Sequence, residues 1–194
     1  MSASAAPRII LVRHGRPDHD GPGWCAPAEM GDWIECYNRA EVAAQECPAS
    51  LPPLARAAGA VVCSSLSRCV QSKTRLIGDG PHQADPVYAE AHLPYPDWPL
   101  PKLPARLWRI GFRAAWFCGF ARHTESIRVS NQRAKVAAER LIALAEENGS
   151  VLLMGHGIMN ILIAWQLRSR GWSGPLHLLL KDFWQPSVYR KAGS

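Results

Sequence analysis

The sequence predicts a three-layer α/β/α sandwich around a mostly parallel central sheet. Three observations carry that expectation. Ile9-Ile10-Leu11-Val12 is an unbroken aliphatic run rich in β-branched side chains, the pattern of a strand buried on both faces. Two further runs, Ala60-Val61-Val62-Cys63 and Val151-Leu152-Leu153-Met154, repeat it later in the chain. Between and after these runs lie longer segments with helical periodicity. Strand and helix in alternation close most readily into a parallel sheet covered on both sides.

Size and composition set bounds. With 194 residues, 47% of them hydrophobic, the chain has material for one well-buried domain and is short for two. We therefore expect a single domain over 1–194, with residues 93–123 as a candidate cap or insert. The net charge of +6 and pI near 9.2 favour anionic partners without choosing among them. No apolar run reaches the roughly 18 residues of a membrane span, and the Ser/Ala-rich lead over 1–7 lacks the apolar core of a signal peptide, so a cytoplasmic location and no membrane partner are expected. Cys25, Cys36, Cys47, Cys63, Cys69 and Cys118 form no C-x-x-C pair and have no histidine pair at zinc spacing. Free buried thiols are expected, with no metal and no cofactor. A basic tract interleaved with stacking aromatics is missing, which argues against nucleic acid. Oligomeric state is not readable from the sequence.

The elements follow in order. Residues 8–13 form the first strand and run into Arg13-His14-Gly15. Residues 16–27 are a Pro- and Gly-rich loop facing a ligand or moving. Residues 28–45 read as a weak helix, and Pro48, Pro52 and Pro53 break the chain before 54–58. After the strand at 60–63, Ser64-Ser65-Leu66-Ser67-Arg68 opens a helix to Ile77 with serine as its natural cap. Residues 85–91 form a third candidate strand or extended segment carrying Glu90. Five prolines within 93–104 exclude helix or central strand. Residues 105–122 read as a helix with Trp108, Phe112, Trp116 and Phe120 on one stripe and Arg106, Arg109 and Arg113 on another face, either core and solvated surface or the wall of a pocket. Thr124 caps a long helix ending near Asn148, with Gly149 as its stop and Val129, Val136, Ala137, Leu141 and Leu144 as its buried face. The strand at 150–154 leads through Gly155-His156-Gly157 into an apolar helix over 158–168. Residues 176–180 and 187–190 remain as late, edge-type strands.

Parallel strands end on one side of the sheet, the side where ligands bind in open α/β folds. That rule gathers Arg13, His14, Arg68 and His156 at one edge. Arg68 in the first turn of a helix faces the positive end of the helix dipole, which is unfavourable unless an anion is there for both. One histidine after a strand is more often a structural residue than a catalyst. Two in matched settings beside two arginines are harder to read as structural.

Four segments in order, Leu11-Val12-Arg13-His14-Gly15, Ser64-Ser65-Leu66-Ser67-Arg68-x-x-Gln71-Ser72, Asp85-Pro86 through Glu90, and Met154-Gly155-His156-Gly157, resemble the histidine phosphatase superfamily, with its phosphoglycerate-mutase-like fold. Glu125-Ser126 with Arg133 adds to the likeness. The resemblance implies a metal-independent phosphomonoesterase acting on a small phosphorylated metabolite. It implies His14 as nucleophile and carrier of a phosphohistidine, Arg13, Arg68 and His156 as the phosphate grip, and Glu90 as the acid and base that serves the leaving oxygen and water. Arg16-Pro17-Asp18-His19-Asp20 departs from the family's usual continuation, which makes Arg16 a candidate substitute contact to phosphate. The Arg-His-Gly-Glu-Ser pattern and longer chain of the mutase branch are missing, which favours phosphatase over mutase. A phosphoglycerate-type mutase and a catalytically silent phosphate-binding module are the alternative readings.

Overall fold

The computed structural model describes residues 6–19, 21, 23–44, 47–79, 83–176 and 182–191. Its elements are β1 (Arg8–Arg13), β2 (Trp24–Cys25), α1 (Met30–Arg39), α2 (Leu51–Arg56), β3 (Ala60–Ser64), α3 (Ser67–Ile77), β4 (Gln83–Asp85), β5 (Leu103–Pro104), α4 (Ala105–Phe117), α5 (Ile127–Asn148), β6 (Ser150–Gly155), α6 (Gly157–Ser169), β7 (Trp172–Ser173) and β8 (Pro186–Lys191). The main sheet has the order β4-β3-β6-β1-β8-β7. Its first four strands are mutually parallel, and β8 runs antiparallel to both β1 and β7.

Strand alternation divides the aliphatic runs between two cores. Ile9, Leu11, Val151 and Leu153 face α5 and α6, packing against Ala134, Ala137, Leu141, Leu162 and Ile163. Ile10, Val12, Leu152 and Met154 face the other way, onto Leu51, Ala55, Cys69 and Leu76 of α2 and α3. This is the three-layer sandwich, and it explains why these strands are hydrophobic at every position. Each such aliphatic side chain contributes about 1.5–3 kcal/mol by leaving water. A third, smaller cluster of Cys25, Met30, Leu93, Ala105 and Phe112 joins α1, α4 and the β2–β5 ribbon to one side.

Several local expectations are corrected. Pro52 and Pro53 do not break the chain before 54–58 but lie in the first turn of α2, where missing N–H groups cost nothing. No serine caps α3: Leu66 holds the cap position, while the Ser64 hydroxyl accepts from the Leu66 N–H and turns toward the site. Of residues 85–91 only Asp85 is in a strand; the Asp85 carboxylate accepts from Val87 and a 3-10 turn follows. Helix α4 stops at Phe117 because Gly119, at φ 102, turns the chain away, so Phe120 is not on the stripe. Ser126, not Thr124, caps α5 by accepting from Val129, and Val129 and Val136 are exposed. The lysine- and arginine-rich sequence around them turns that face outward, leaving Ala134, Ala137, Ala138 and Leu141 to pack. β8 lies inside the sheet, and the edge belongs to the two-residue β7; the expected strand at 176–180 falls mostly on 177–180, outside the described residues. All six cysteines are free thiols, but only Cys25, Cys63 and Cys69 are buried, since Cys36 and Cys118 sit on outward faces of α1 and the α4 end. Among the described residues no helix is long and apolar enough to cross a membrane.

Register positions the site. Arg13 pairs with Gly155 in the β1–β6 ladder, so the next residues, His14 and His156, emerge side by side. The His14 N–H donates to the Gly155 carbonyl at 3.0 Å, extending the ladder one step beyond the strand. Cys63 pairs with Met154, which brings Ser64 level with Gly155 on the other side.

Candidate active site

His14 is 2% exposed and its imidazole is held at both nitrogens. Nδ1 donates to the Gly15 carbonyl at 2.7 Å, which fixes the hydrogen on Nδ1. Nε2 is therefore the lone-pair nitrogen, and it accepts from the Arg68 Nε–H at 3.1 Å. Burial, then the Arg68 charge, hold the His14 pKa well below the ordinary 6.5, against the Gly15 hydrogen bond that favours the charged ring. The ring is neutral at physiological pH, with its nucleophilic nitrogen facing a guanidinium.

Arg68 itself is 1% exposed. Besides His14, it donates through Nη1 to Asn38 Oδ1 at 2.9 Å and lies over the Tyr37 ring at 5.2 Å. Among the described residues it has no carboxylate partner. The helix carrying it is tied to the His14 loop: the Ser72 hydroxyl donates to the Arg68 carbonyl at 2.6 Å and accepts from the Gly15 N–H at 2.9 Å. Gln71 Oε1 accepts from Val42, so the Arg68-x-x-Gln71-Ser72 pattern is a scaffold for the site. Gly15 is required by packing, because a Cβ there would lie 2.5 Å from both the Trp184 indole and Val42. The Arg13 guanidinium stacks over Phe183 at 4.0 Å.

His156 is fully buried, edge-on to His14 at 5.0 Å between ring centres. Its Nε2 is 2.8 Å from the Ser64 hydroxyl and 3.3 Å from the Cys69 thiol. Burial, then Arg68 and His14, keep its pKa well below 6.5, so it too is neutral. Burial pushes the Cys69 thiol far up, leaving it a neutral packing group.

Arg13, His14, Arg68 and Glu90 open onto one cavity of about 660 Å³. The Glu90 carboxylate lies at the start of α6, accepting from Ile158 at 3.3 Å and Met159 at 3.0 Å, a position the helix dipole favours. Its backbone is clamped from α5. Arg133 donates to the carbonyls of Val87, Ala89 and Glu90 and pairs with Glu125.

No protein-family model matches the sequence, and no curated protein matches it significantly. Solved structures do match. An open-reading-frame product of Mycobacterium tuberculosis superposes with a TM-score of 0.52 at 16% identity, over 94% of this chain and 90% of that one. A candidate α-ribazole-5′-P phosphatase from Escherichia coli gives 0.53 at 21% identity over the same shares, 94% and 90%. A mycobacterial glucosyl-3-phosphoglycerate phosphatase, solved with VO3, gives 0.53 at 22% identity over 84% and 82%. The chain has the phosphoglycerate-mutase-like fold.

Within that fold the structure brings together Arg13, His14, Arg68 and Glu90 on the cavity wall and sets His156 behind His14 rather than on the wall. Arg16 is exposed and does not line the cavity; its carbonyl accepts from Ala43. Of the other acids near Glu90, Asp85 pairs with Arg140 and Asp97 with Arg122 and His123, both engaged away from the cavity, whereas His92 lines it. Sequence reasoning missed Asn38 and Tyr37 on α1, which carry no local signal, and Phe183 and Trp184, whose partners Arg13 and Gly15 lie at the opposite end of the chain. Among the described residues no group of three His, Cys, Asp or Glu side chains stands ready to hold a metal ion.

Proposed function

We propose that this protein is a metal-independent phosphomonoesterase that works through a phosphohistidine on His14. The observation that carries the reading is the fixed, neutral Nδ1–H tautomer of His14, with Nε2 pointed at a buried guanidinium. A neutral imidazole attacks phosphorus in line, and no proton must first be removed from it. As the phosphoryl group enters, the Arg68 Nε–H passes from Nε2 to a phosphoryl oxygen, freeing the lone pair for attack. Arg13 and Arg68 then grip the equatorial oxygens, whose geometry the planar guanidinium matches. His156 and Ser64 hold the His14 side of the site from behind.

Glu90 delivers a proton to the leaving oxygen as the P–O bond breaks. It then takes a proton from the water that attacks phosphohistidine, releasing orthophosphate and restoring His14. The similarity to solved phosphatases and the four sequence segments support the same reading. In the test, His14→Ala abolishes hydrolysis of p-nitrophenyl phosphate while the protein stays folded. Wild-type enzyme quenched in alkali yields acid-labile phosphate on His14, EDTA leaves the rate unchanged, and vanadate inhibits as a phosphoryl mimic. A His14→Ala protein of undiminished rate refutes the mechanism.

A further inference from the structure

The cavity is far larger than phosphate needs, and its remaining wall has two distinct characters. Part of it is apolar and aromatic, with Trp33, Leu93, Ile110, Phe117, Ile161 and Trp165. Interleaved with Ile110 and Phe117 on α4 are Arg106, Arg109 and Arg113, spaced three and four residues apart on one face. Like charges at that spacing repel and cost the helix stability. Among the described residues none of the three belongs to an ion pair that would relieve this.

Arg113 adds a direct pointer. Its Nη2 donates to the Ala91 carbonyl at 2.9 Å, but Nη1 is buried without a hydrogen-bond partner among the described residues. A buried donor left unmade is costly unless a ligand completes it. Arg109 lies over Trp33 at 5.3 Å, so the cationic and aromatic walls meet. Arg13, Arg68 and His14 already account for one phosphoryl group. The three α4 arginines are further cations on the wall of the same cavity, in excess of what that group needs.

We infer that the site takes phosphomonoesters whose leaving group combines an apolar body with a second anion, such as a carboxylate. This rests on the phosphatase reading and narrows its substrate class. The apolar wall would desolvate the body, which small sugar or glycerol phosphates do not offer. The arginine face would hold the second anion by charge-assisted hydrogen bonds.

The test compares alcohol esters of similar leaving-group strength on the wild-type enzyme. These are ω-phosphonooxyalkanoates of six and eight carbons, hexyl and octyl phosphate, 3-phosphoglycerate and glycerol 3-phosphate. The expected kcat/KM for the better alkanoate is at least ~10-fold above the matching alkyl phosphate, the effect of one charge-assisted hydrogen bond. It should exceed 3-phosphoglycerate by ~10-fold or more through burial of the added methylenes. The Arg106→Ala/Arg109→Ala variant, which removes two exposed side chains and no backbone contact, should bring the alkanoate-to-alkyl ratio near one. Equal rates across the panel, a preference for the glycerol esters, or a ratio that survives the double variant overturns the inference. So does turnover of p-nitrophenyl phosphate with none of the six esters accepted, and that result leaves the phosphatase reading standing. Inertness toward p-nitrophenyl phosphate together with no trapped phosphohistidine removes both.

Discussion

Lowering the pH from 7.5 to 5.5 should destabilise the protein, by up to about 3 kcal/mol through His14 and His156 alone. Both rings are buried, and both are held neutral well below 6.5, chiefly by burial and then by Arg68. In the unfolded chain each titrates near 6.5 and takes up a proton across this window, which burial and Arg68 oppose in the folded protein. The unfolded state therefore binds more protons, and stability rises with pH. Integrated from pH 5.5 to 7.5, a histidine that protonates only when unfolded contributes up to roughly a factor of ten in the folding equilibrium, and two contribute up to about 3 kcal/mol. His92, held down mainly by burial, acts in the same direction. Glu125 does not confound the window: burial works to raise its pKa, but Arg133 and Ser130 hold it below its ordinary 4.5. Urea unfolding at fixed ionic strength across the range measures the effect directly, and thermal unfolding should shift by roughly 5–10 °C. In His14→Gln/His156→Gln most of this slope should vanish. A wild-type stability flat from 7.5 to 5.5 would falsify the picture of two neutral buried imidazoles.

Three further outcomes follow. Arg68→Met should lower kcat on p-nitrophenyl phosphate on the order of 100-fold or more, as for loss of a transition-state donor, without lowering thermal stability, because a buried charge with no carboxylate partner is replaced by an apolar chain; a large drop in Tm would show that Arg68 is structural. Glu90→Gln should slow the phosphorylation step, read by single-turnover kinetics, by at least ~100-fold for an alkyl phosphate and far less for p-nitrophenyl phosphate, whose leaving group departs almost unaided. Equal losses would move the acid role to His92, the other titratable group of that segment on the cavity wall. Gly15→Ala should cost about 1–3 kcal/mol by overpacking against Trp184 and Val42, with kcat falling on the order of 100-fold as His14 is displaced; unchanged values of both would show that the neighbours yield freely.

What was legible in the sequence was whatever a strand end decides. Uniform aliphatic runs give buried parallel strands, and a parallel sheet puts the residues after those runs on one edge, so Arg13, His14 and His156 could be gathered without coordinates. Arg68 was legible for a similar reason, as a cation where a helix start disfavours one. The local caps were less so, because Ser64, Ser67, Thr124 and Ser126 all suit a helix start and only tertiary contacts choose. Ser64 is drawn toward His156, which leaves Leu66 at the cap of α3. The cavity wall was readable only as alternatives. The arginines of α4 sit on a helix face that looks solvated until α1 and α6 are placed opposite it.

Glu90 shows where local reasoning ends. In the sequence it is one carboxylate among sixteen acidic residues, and nothing in its neighbours marks it. In the structure it is fixed by partners distant along the chain. Arg133 holds its carbonyl and those of Val87 and Ala89, and the first turn of α6 holds its carboxylate. Arg133 can serve as this clamp because Glu125 balances its charge and Ser130 in turn donates to Glu125. The Glu125-Ser126 and Arg133 pair thus acts on the site without touching the cavity, by setting where one backbone segment lies. The α6 dipole that steadies Glu90 begins at Gly157, directly after His156, so one strand-to-helix turn places both the imidazole behind His14 and the amides under Glu90. His14 and Glu90 are therefore coupled through β6 and α6. A shift of that turn would move the Glu90 carboxylate relative to the His14 ring even with every side chain of the cavity intact.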